Sequence, residues 1–213
     1  MKPYYQDESV TLYNCDCREM LPELKADSVI TDPPYNCGKD YGKYKDNMTD
    51  PEYKNFMQDV TGLCLGAAAN QFWVAPRYKL EMFLSLLPGS HLVVIRRGAS
   101  GPFRQGWSDQ FEIALAIGKP DKCVSDLWTG IRLKGEGYFF TEETYGHPGY
   151  TPLPIMSKAV LLLGGASIID PFCGTGTTLV AAKSLGRKAV GIEISEEYCE
   201  ICVKRLQQEY LKL

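Results

Sequence analysis

The four residues Asp32-Pro33-Pro34-Tyr35 follow a short apolar run, Ser28–Thr31, and carry groups suited to chemistry on an amino group. The run predicts a buried strand that ends at the prolines, since proline cannot donate to a sheet ladder. An amino group on an aromatic ring is a poor nucleophile because its lone pair is delocalised. The Asp32 carboxylate and the Pro33 carbonyl could accept its hydrogens and favour a more reactive, pyramidal nitrogen. Tyr35 adds a flat face on which a planar ring can stack.

A second turn, 170–178, joins an apolar run to a helical pattern. Gly174 and Gly176 let a ligand approach the backbone closely, beside the start of a helix. The third glycine of the dinucleotide fingerprint is absent, so a pyrophosphate is not favoured. The Asp170 carboxylate suits a ligand that carries an ammonium group. Glu193 ends the next apolar run, where ribose hydroxyls bind in doubly wound folds.

Short β-rich runs alternate with helical patterns along the 213 residues, which predicts one α/β domain with a mostly parallel sheet. In such sheets ligands bind at the carboxyl ends of the strands, where both turns would lie. We predict strands over 10–13, 28–31, 71–74, 91–96, 111–117, 167–169 and 188–194. We predict helices over 19–24, 51–65 with Asp50 as cap, 78–87, 155–163, 177–185 before Gly186, and from Ser195 to about Leu211.

Composition narrows the class of protein. The net charge of −3 gives no global positive field, so a nucleic-acid contact needs a local basic surface. No apolar run approaches the ~20 residues of a membrane helix, and the first residues lack the apolar core of a secretory signal. Eight cysteines without such a signal favour reduced thiols in a cytosolic protein. We expect no metal site, because histidines are scarce and Cys199 and Cys202 fall in a helical pattern that faces the core.

Five segments in order resemble the amino-methyltransferases of DNA, and their arrangement resembles the circularly permuted beta group. The segments are 10–16, 32–41, 147–156, 170–178 and 191–198. The resemblance implies a Rossmann-like S-adenosylmethionine-dependent methyltransferase fold, with a circularly permuted, seven-stranded, mostly parallel sheet. It also implies S-adenosylmethionine as cofactor and DNA as partner, and it makes a homodimer plausible. Members with aspartate at the first catalytic position usually methylate adenine N6, and those with serine cytosine N4, so Asp32 favours adenine.

The same resemblance assigns roles to individual residues. The implied catalytic set is Asp32, Pro33, Pro34 and Tyr35. The implied cofactor-binding set is Asp16, Asp32, Asp170, Phe172, Gly174, Thr175, Gly176, Thr177, Thr178 and Glu193. Within it, Asp16 would meet the adenine edge of the cofactor, and Glu193, with Tyr198 downstream, would bind its ribose. The chain departs from the family pattern at Thr151, where members usually have lysine near the methionine end of the cofactor.

Basic and aromatic residues are the candidates for DNA contact, since they can neutralise phosphates and stack on unpaired bases. The candidates are Tyr35, Lys39, Lys43, Lys45, Arg96, Arg97, Arg104, Arg132 and Lys134. We expect a target-recognition insertion at about 118–146. It is short for a sequence reader, which usually needs several base-edge contacts on a helix or ribbon. The target would therefore be short or degenerate, or a partner or second copy would contribute.

Several alternatives stay open. Asp-Pro-Pro-Tyr by itself is more often an ordinary turn, and the glycine turn could be an ordinary βαβ crossover. Methylation of cytosine N4 would use the same fold and chemistry. An RNA or protein methyltransferase could use a similar Pro-Pro-Tyr motif. A nucleic-acid-binding subunit without activity is the alternative from another class, although the intact motif residues argue against it.

Overall fold

Strands and helices alternate along the chain in the computed structural model, which describes residues 1–38, 40–41, 44–96, 111–120, 123–129 and 151–208. The strands are β1 (Tyr5–Gln6), β2 (Val10–Asn14), β3 (Ser28–Thr31), β4 (Asp40–Tyr41), β5 (Tyr44–Lys45), β6 (Asn70–Ala75), β7 (His91–Arg96), β8 (Phe111–Ile117), β9 (Leu127–Trp128), β10 (Ser167–Asp170) and β11 (Lys188–Glu193). The helices are α1 (Cys17–Met20), α2 (Asp50–Ala67), α3 (Leu80–Leu86), α4 (Leu153–Leu163), α5 (Thr177–Ser184) and α6 (Glu196–Gln207).

Nine of the described strands form one sheet in the order β1-β2-β11-β10-β3-β6-β8-β7-β9. The five strands from β2 to β6 in that order are parallel, and β8 runs antiparallel between β6 and β7. The predicted Rossmann-like, mostly parallel α/β fold is confirmed. The seven predicted strands form the body of this sheet, and the two-residue strands β1 and β9 extend its edges. Along the chain, β3 and the Asp-Pro-Pro-Tyr motif come before β10 and the glycines that follow it. The assignment to the beta group, which rests on this order, stays a prediction.

The pairing register brings both predicted turns to the same edge of the sheet. β3 and β10 are parallel neighbours, with Val29 opposite Ile169. β11 lies on the other side of β10, with Asp170 opposite Gly191. Because parallel strands share the edge at which they end, the turn after β3, the turn after β10 and the end of β11 lie side by side.

Helices cover both faces of the sheet, and alternate residues of each strand belong to opposite apolar layers. Ile30 and Ile168 belong to the layer that α4, α5 and α6 complete. Val29 and Ile169 belong to the layer that α1, α2 and α3 complete. All four side chains are fully buried. A slip of one residue in either strand would exchange the layers, so the register of the central strands is strongly specified.

The ends of two helices differ from the predictions. The helix predicted to have Asp50 as its cap is capped by Thr49, so that prediction is wrong. The Glu52 carboxylate accepts hydrogen bonds from the N–H and the hydroxyl of Thr49 at 2.9 and 2.7 Å, which ties the first turn together. The last helix ends at Gln207, before the predicted end, because the backbone of Gln208 is extended.

Other predicted elements hold with small changes. The helix predicted over 19–24 is the short α1 continued by a 3-10 turn, and the one predicted over 78–87 begins as a 3-10 turn before α3. Gly186 follows α5 with a φ of 67°, as expected of a glycine that stops a helix. Cys199 and Cys202 are both free thiols buried in the core, as predicted.

Part of the predicted insertion at 118–146 is described. Its strand β9 pairs with β7, and the ring of Trp128 stacks on that of Phe72 with centroids 5.3 Å apart. Residues 130–150 lie outside the described residues, so the target-recognition role stays a prediction. Within the described ranges, none of the helices is long and apolar enough to cross a membrane.

Candidate active site

A cavity of about 320 Å³ lies where the two turns meet. Its walls come from the ends of β2, β3, β10 and β11 and from residues at the start of α4. All four predicted catalytic residues line it, and so do all of the predicted cofactor-binding residues except Gly176. The fold therefore gathers two sets of residues that lie far apart in the sequence around one space.

The Asp32 carboxylate receives a hydroxyl on each of its oxygens. The Tyr35 hydroxyl donates to Oδ1 at 2.5 Å, and the Thr151 hydroxyl donates to Oδ2. Thr151 is buried in the segment just before α4. The sequence marks Thr151 as a departure from the family pattern, but only the fold shows that it contacts Asp32.

Residues Asp32–Tyr35 form the predicted catalytic turn, called the catalytic turn below, and its two proline carbonyls have different surroundings. The hydroxyl of Tyr53, a buried residue of α2, donates to the Pro34 carbonyl at 2.8 Å. Within the described part of the chain, the Pro33 carbonyl receives no hydrogen bond. This carbonyl therefore keeps its acceptor capacity beside Asp32, while Tyr53 fixes the turn from behind.

A buried aspartate that the sequence analysis missed holds the residues after the catalytic turn. The Asp46 carboxylate accepts hydrogen bonds from the N–H groups of Asn36 and Cys37 at 2.7 and 2.9 Å. Asn36 has a positive φ of 55°, and its side-chain amide exchanges two hydrogen bonds of 2.8 Å with the backbone of Met48. These bonds fix the direction in which the chain leaves Tyr35. The contacts span about ten residues and have no periodic signature in the sequence.

Asp170 is a buried carboxyl at the base of the cavity. The Thr31 hydroxyl donates to it at 2.7 Å and the Phe172 N–H at 3.1 Å. Burial raises the pKa of Asp170 to about 6, and the charge of nearby Asp32 acts in the same direction, against hydrogen bonds that lower it. A cationic group bound in the cavity would stabilise the ionised form of this carboxyl.

Glu193 links the glycine turn to the start of α6. Its carboxylate accepts hydrogen bonds from the N–H of Gly174 at 2.9 Å and from that of Ser195 at 2.7 Å. Removal from bulk solvent raises the pKa of Glu193 to about 7, although both backbone donors oppose the shift. The carboxylate also lines the cavity, where it can accept further hydrogen bonds from a ligand.

The glycine turn is held from below by α6. Gly176 has a φ of 86°, and a Cβ there would come within 2.3 Å of the Cys202 sulfur, so only glycine fits. The buried guanidinium of Arg205 donates to the Thr175 carbonyl at 2.8 Å, and to the hydroxyls of Thr175 and Thr177 at 3.0 and 3.2 Å. The sequence analysis missed Arg205. Its signal was an arginine on the apolar side of the amphipathic α6.

Asp16 is engaged by a neighbour. The Arg18 guanidinium reaches both of its oxygens, with Nη2 2.6 Å from Oδ2 and Nε 3.0 Å from Oδ1, and these hydrogen bonds lower the pKa of Asp16. The same guanidinium lies 5.2 Å from the centre of the Phe56 ring, which lies 6.0 Å from that of Phe172. The direct contact of Asp16 with a cofactor stays a prediction, and Arg18 and Phe56 are additions to this end of the cavity.

Most of the residues predicted to contact DNA lie outside the described residues. Tyr35 lines the cavity, and Arg96 is exposed at the end of β7, on the same edge of the sheet. Lys45 belongs to the β4–β5 hairpin. The remaining candidates lie outside the described residues and stay predictions: Lys39, Lys43, Arg97, Arg104, Arg132 and Lys134.

The raised pKa values make the stability of the ligand-free protein depend on pH. The pKa values of Glu193 and Asp170, about 7 and about 6, exceed their ordinary values of 4.5 and 3.8. The folded chain therefore holds more protons than the unfolded chain in this interval, and stability falls as pH rises through it. Asp7, Asp16 and Asp27 have lowered pKa values and are ionised in both states there. We expect the melting temperature to decrease between about pH 5 and pH 8.

The substitution Glu193→Gln should reduce this decrease, because it removes the group with the higher pKa. Glu197→Gln, at an exposed position in the first turn of α6, is the matched control and should leave the slope unchanged. Melting curves at intervals of pH measure both variants. A Glu193→Gln protein with the wild-type slope would contradict the raised pKa of Glu193.

The sequence of the chain is similar to those of known DNA methylases. Residues 118–204 match the sequence model of a family described as DNA methylase, with N6 and N4 in its name. The chain is 26% identical to the type II methyltransferase M.ScaI of Streptomyces caespitosus, over 98% of this chain and 84% of that protein. It is 27% identical to the type II methyltransferase M.HpaI of Haemophilus parainfluenzae, over 89% and 71% of the two chains.

Solved structures share the fold. The M1.HpyAVI–SAM complex superposes with a TM-score of 0.69 at 23% identity, over 93% of this chain and 100% of that chain. The PvuII DNA methyltransferase, described as cytosine-N4-specific, superposes with a TM-score of 0.74 at 16% identity, over 99% and 90% of the two chains. The match over residues 118–204 and the two relatives that span most of the sequence thus make the chain similar to DNA methylases of the N6/N4 kind, and the solved structures show that it shares their fold.

Proposed function

We propose that the protein transfers the methyl group of S-adenosylmethionine to the N6 amino group of adenine in DNA. The observation that carries the proposal is the position of Asp32 and Pro33 at the cavity that the glycine turn also lines. The acceptor pair for an amino group and the glycine turn thus face the same cavity. The similarity to DNA methylases of the N6/N4 kind supports the same class of reaction.

The cavity fits S-adenosylmethionine in size and in the chemistry of its walls. Its volume of about 320 Å³ lies within the usual range of small-molecule sites. The Glu193 carboxylate would accept the ribose hydroxyls, and the rings of Phe172 and Phe56 offer apolar faces to adenine. The Asp170 carboxyl favours the cationic amino-acid end. The cofactor supplies an electrophilic methyl group bound to a sulfonium sulfur.

The protein's own residues act on the amino group that receives the methyl group. The two N6 hydrogens would donate to the Asp32 carboxylate and to the Pro33 carbonyl, which draws the nitrogen lone pair out of conjugation. Once the nitrogen forms its new bond to carbon it becomes acidic, and one of its protons leaves by way of Asp32 to solvent. Asp32 therefore need not be a strong base.

Adenine N6 cannot reach the cavity from inside a duplex, so the target base must rotate out of the stack. The ring of Tyr35 would stack on the rotated base, a contact worth about 1–3 kcal/mol in single-strand binding. The bond from its hydroxyl to Asp32 fixes the position of that ring. We include three further expectations in this proposal. Residues 118–146 take part in target recognition, the protein forms a homodimer, and it acts beside a restriction enzyme. The type II relatives support the last of these.

Substitution of Asp32 by alanine should abolish methylation while cofactor binding stays near the wild-type value. We expect a loss of at least about 100-fold, because one positioned polar group in an active site commonly contributes that much. The wild-type and variant proteins are expressed in a host that lacks DNA methylation, and the DNA is digested to nucleosides for mass spectrometry. Strong residual methylation in the variant would refute the role of Asp32.

The same experiment identifies the target base. N6-methyladenine that depends on Asp32 supports the proposal. N4-methylcytosine in its place would keep the mechanism and overturn the choice of adenine. Neither product, from soluble protein that binds S-adenosylmethionine, would overturn DNA as the substrate and direct the search to RNA or protein.

Substitution of Glu193 by alanine should weaken cofactor binding by at least about tenfold, because it removes hydrogen bonds from a charged acceptor. Since ribose hydroxyls bind the ionised carboxylate better, wild-type affinity should also increase as the pH rises through about 7. Calorimetry measures both effects, with the exposed Glu197→Ala as the control that changes charge alone. An unchanged dissociation constant in Glu193→Ala would remove the ribose role from this residue.

A further inference from the structure

We propose that Thr151 is a positioning residue that fixes the Asp32 carboxylate in its working orientation. The inference rests on the proposed function, because it assigns a role to Thr151 in the methylation that Asp32 would support. Thr151 carries a neutral hydroxyl, so its side chain adds no positive charge beside Asp32. The contact joins residues that are 119 positions apart in the sequence.

The hydroxyls of Tyr35 and Thr151 donate hydrogen bonds to the two different oxygens of Asp32. Tyr35 belongs to the same turn as Asp32 and donates to Oδ1, whereas Thr151 comes from the segment before α4 and donates to Oδ2. A carboxylate that is held at one oxygen can still rotate about its Cβ–Cγ bond. A second donor at the other oxygen removes that rotation, so the remaining acceptor positions keep one direction.

Thr151 is itself held in place by the fold. Its side chain is 6% exposed, and the next residue, Pro152, accepts hydrogen bonds from the N–H groups of Ile155 and Met156 in the first turn of α4. Ile155 and Met156 are buried in the apolar layer under that helix. A threonine side chain also has few χ1 positions because it is branched at Cβ. The donor is therefore rigid before any substrate binds.

The position of Asp32 needs such support because it lies beside a second acid. The charge of Asp32 contributes to the raised pKa of buried Asp170, so the two carboxyls repel each other when both are ionised. Donors at both Asp32 oxygens oppose the motion that this repulsion would favour. The Thr151 hydroxyl opposes this motion without adding a positive charge next to the methyl acceptor.

The test compares Thr151→Val, which removes the hydroxyl with little change in shape, with Thr151→Ser, which keeps it. We expect Thr151→Val to lower kcat by about tenfold or more, as for the loss of one hydrogen bond to a charged group. The KM for DNA and the dissociation constant for S-adenosylmethionine should stay within about threefold, and Thr151→Ser should recover most of kcat. Thr61→Val is the matched control, because it removes another buried threonine hydroxyl, within α2 and away from the cavity. Wild-type kcat in Thr151→Val, or an equal loss in Thr151→Ser, would overturn the inference.

A second measurement separates this inference from the proposed function. In a double-mutant cycle on melting temperature, Thr151→Val should destabilise the wild-type protein more than it destabilises the Asp32→Ala protein, because the contact is already lost there. If this coupling is found but the wild-type protein methylates no DNA, the proposed function fails and the positioning contact stands. If the two losses simply add, the positioning inference fails even when the protein is an active methylase.

Discussion

The candidate active site depends on the parallel pairing of β3 with β10. This pairing places Asp32 beside Asp170, and the Thr31 hydroxyl joins the two strand ends at 2.7 Å. Both strands are buried on both faces, so neither can shift without exchanging its two apolar layers. The distance between the catalytic turn and the glycine turn is therefore set by the packing of the sheet and not by the turns themselves.

Around that fixed pair, polar groups from distant segments complete each turn. Tyr53 donates a hydrogen bond to the Pro34 carbonyl, and Asp46 accepts one from the N–H of Asn36, just after the catalytic turn. Arg205 donates to the Thr175 carbonyl in the glycine turn. Each of the three is buried and bonds mainly to backbone or hydroxyl groups of the turn. The turns themselves are short, so they gain rigidity from these supports, while residues of both turns line the cavity.

The strands, most helices and the two turns could be predicted because each has a local signature. Apolar runs, prolines and glycines mark β3, β10 and the turns that follow them, and alternation of runs predicts the parallel sheet. The supports of the site could not be predicted in the same way. Thr151 and Asp46 act through contacts between segments, which no local pattern records. Thr49 rather than Asp50 caps α2 because the side chain of Glu52 closes on it, and either residue type is a good cap.

Trp128, stacked on Phe72 and covered by the ammonium group of Lys158, fastens the chain at one point of the core, and Thr151 fastens it at another. The described residues on either side of 130–150 are thus both held by contacts with the body of the sheet. A substitution at Trp128 therefore acts on the core, whereas one at Thr151 acts directly on the Asp32 carboxylate, although both residues border the same stretch of sequence.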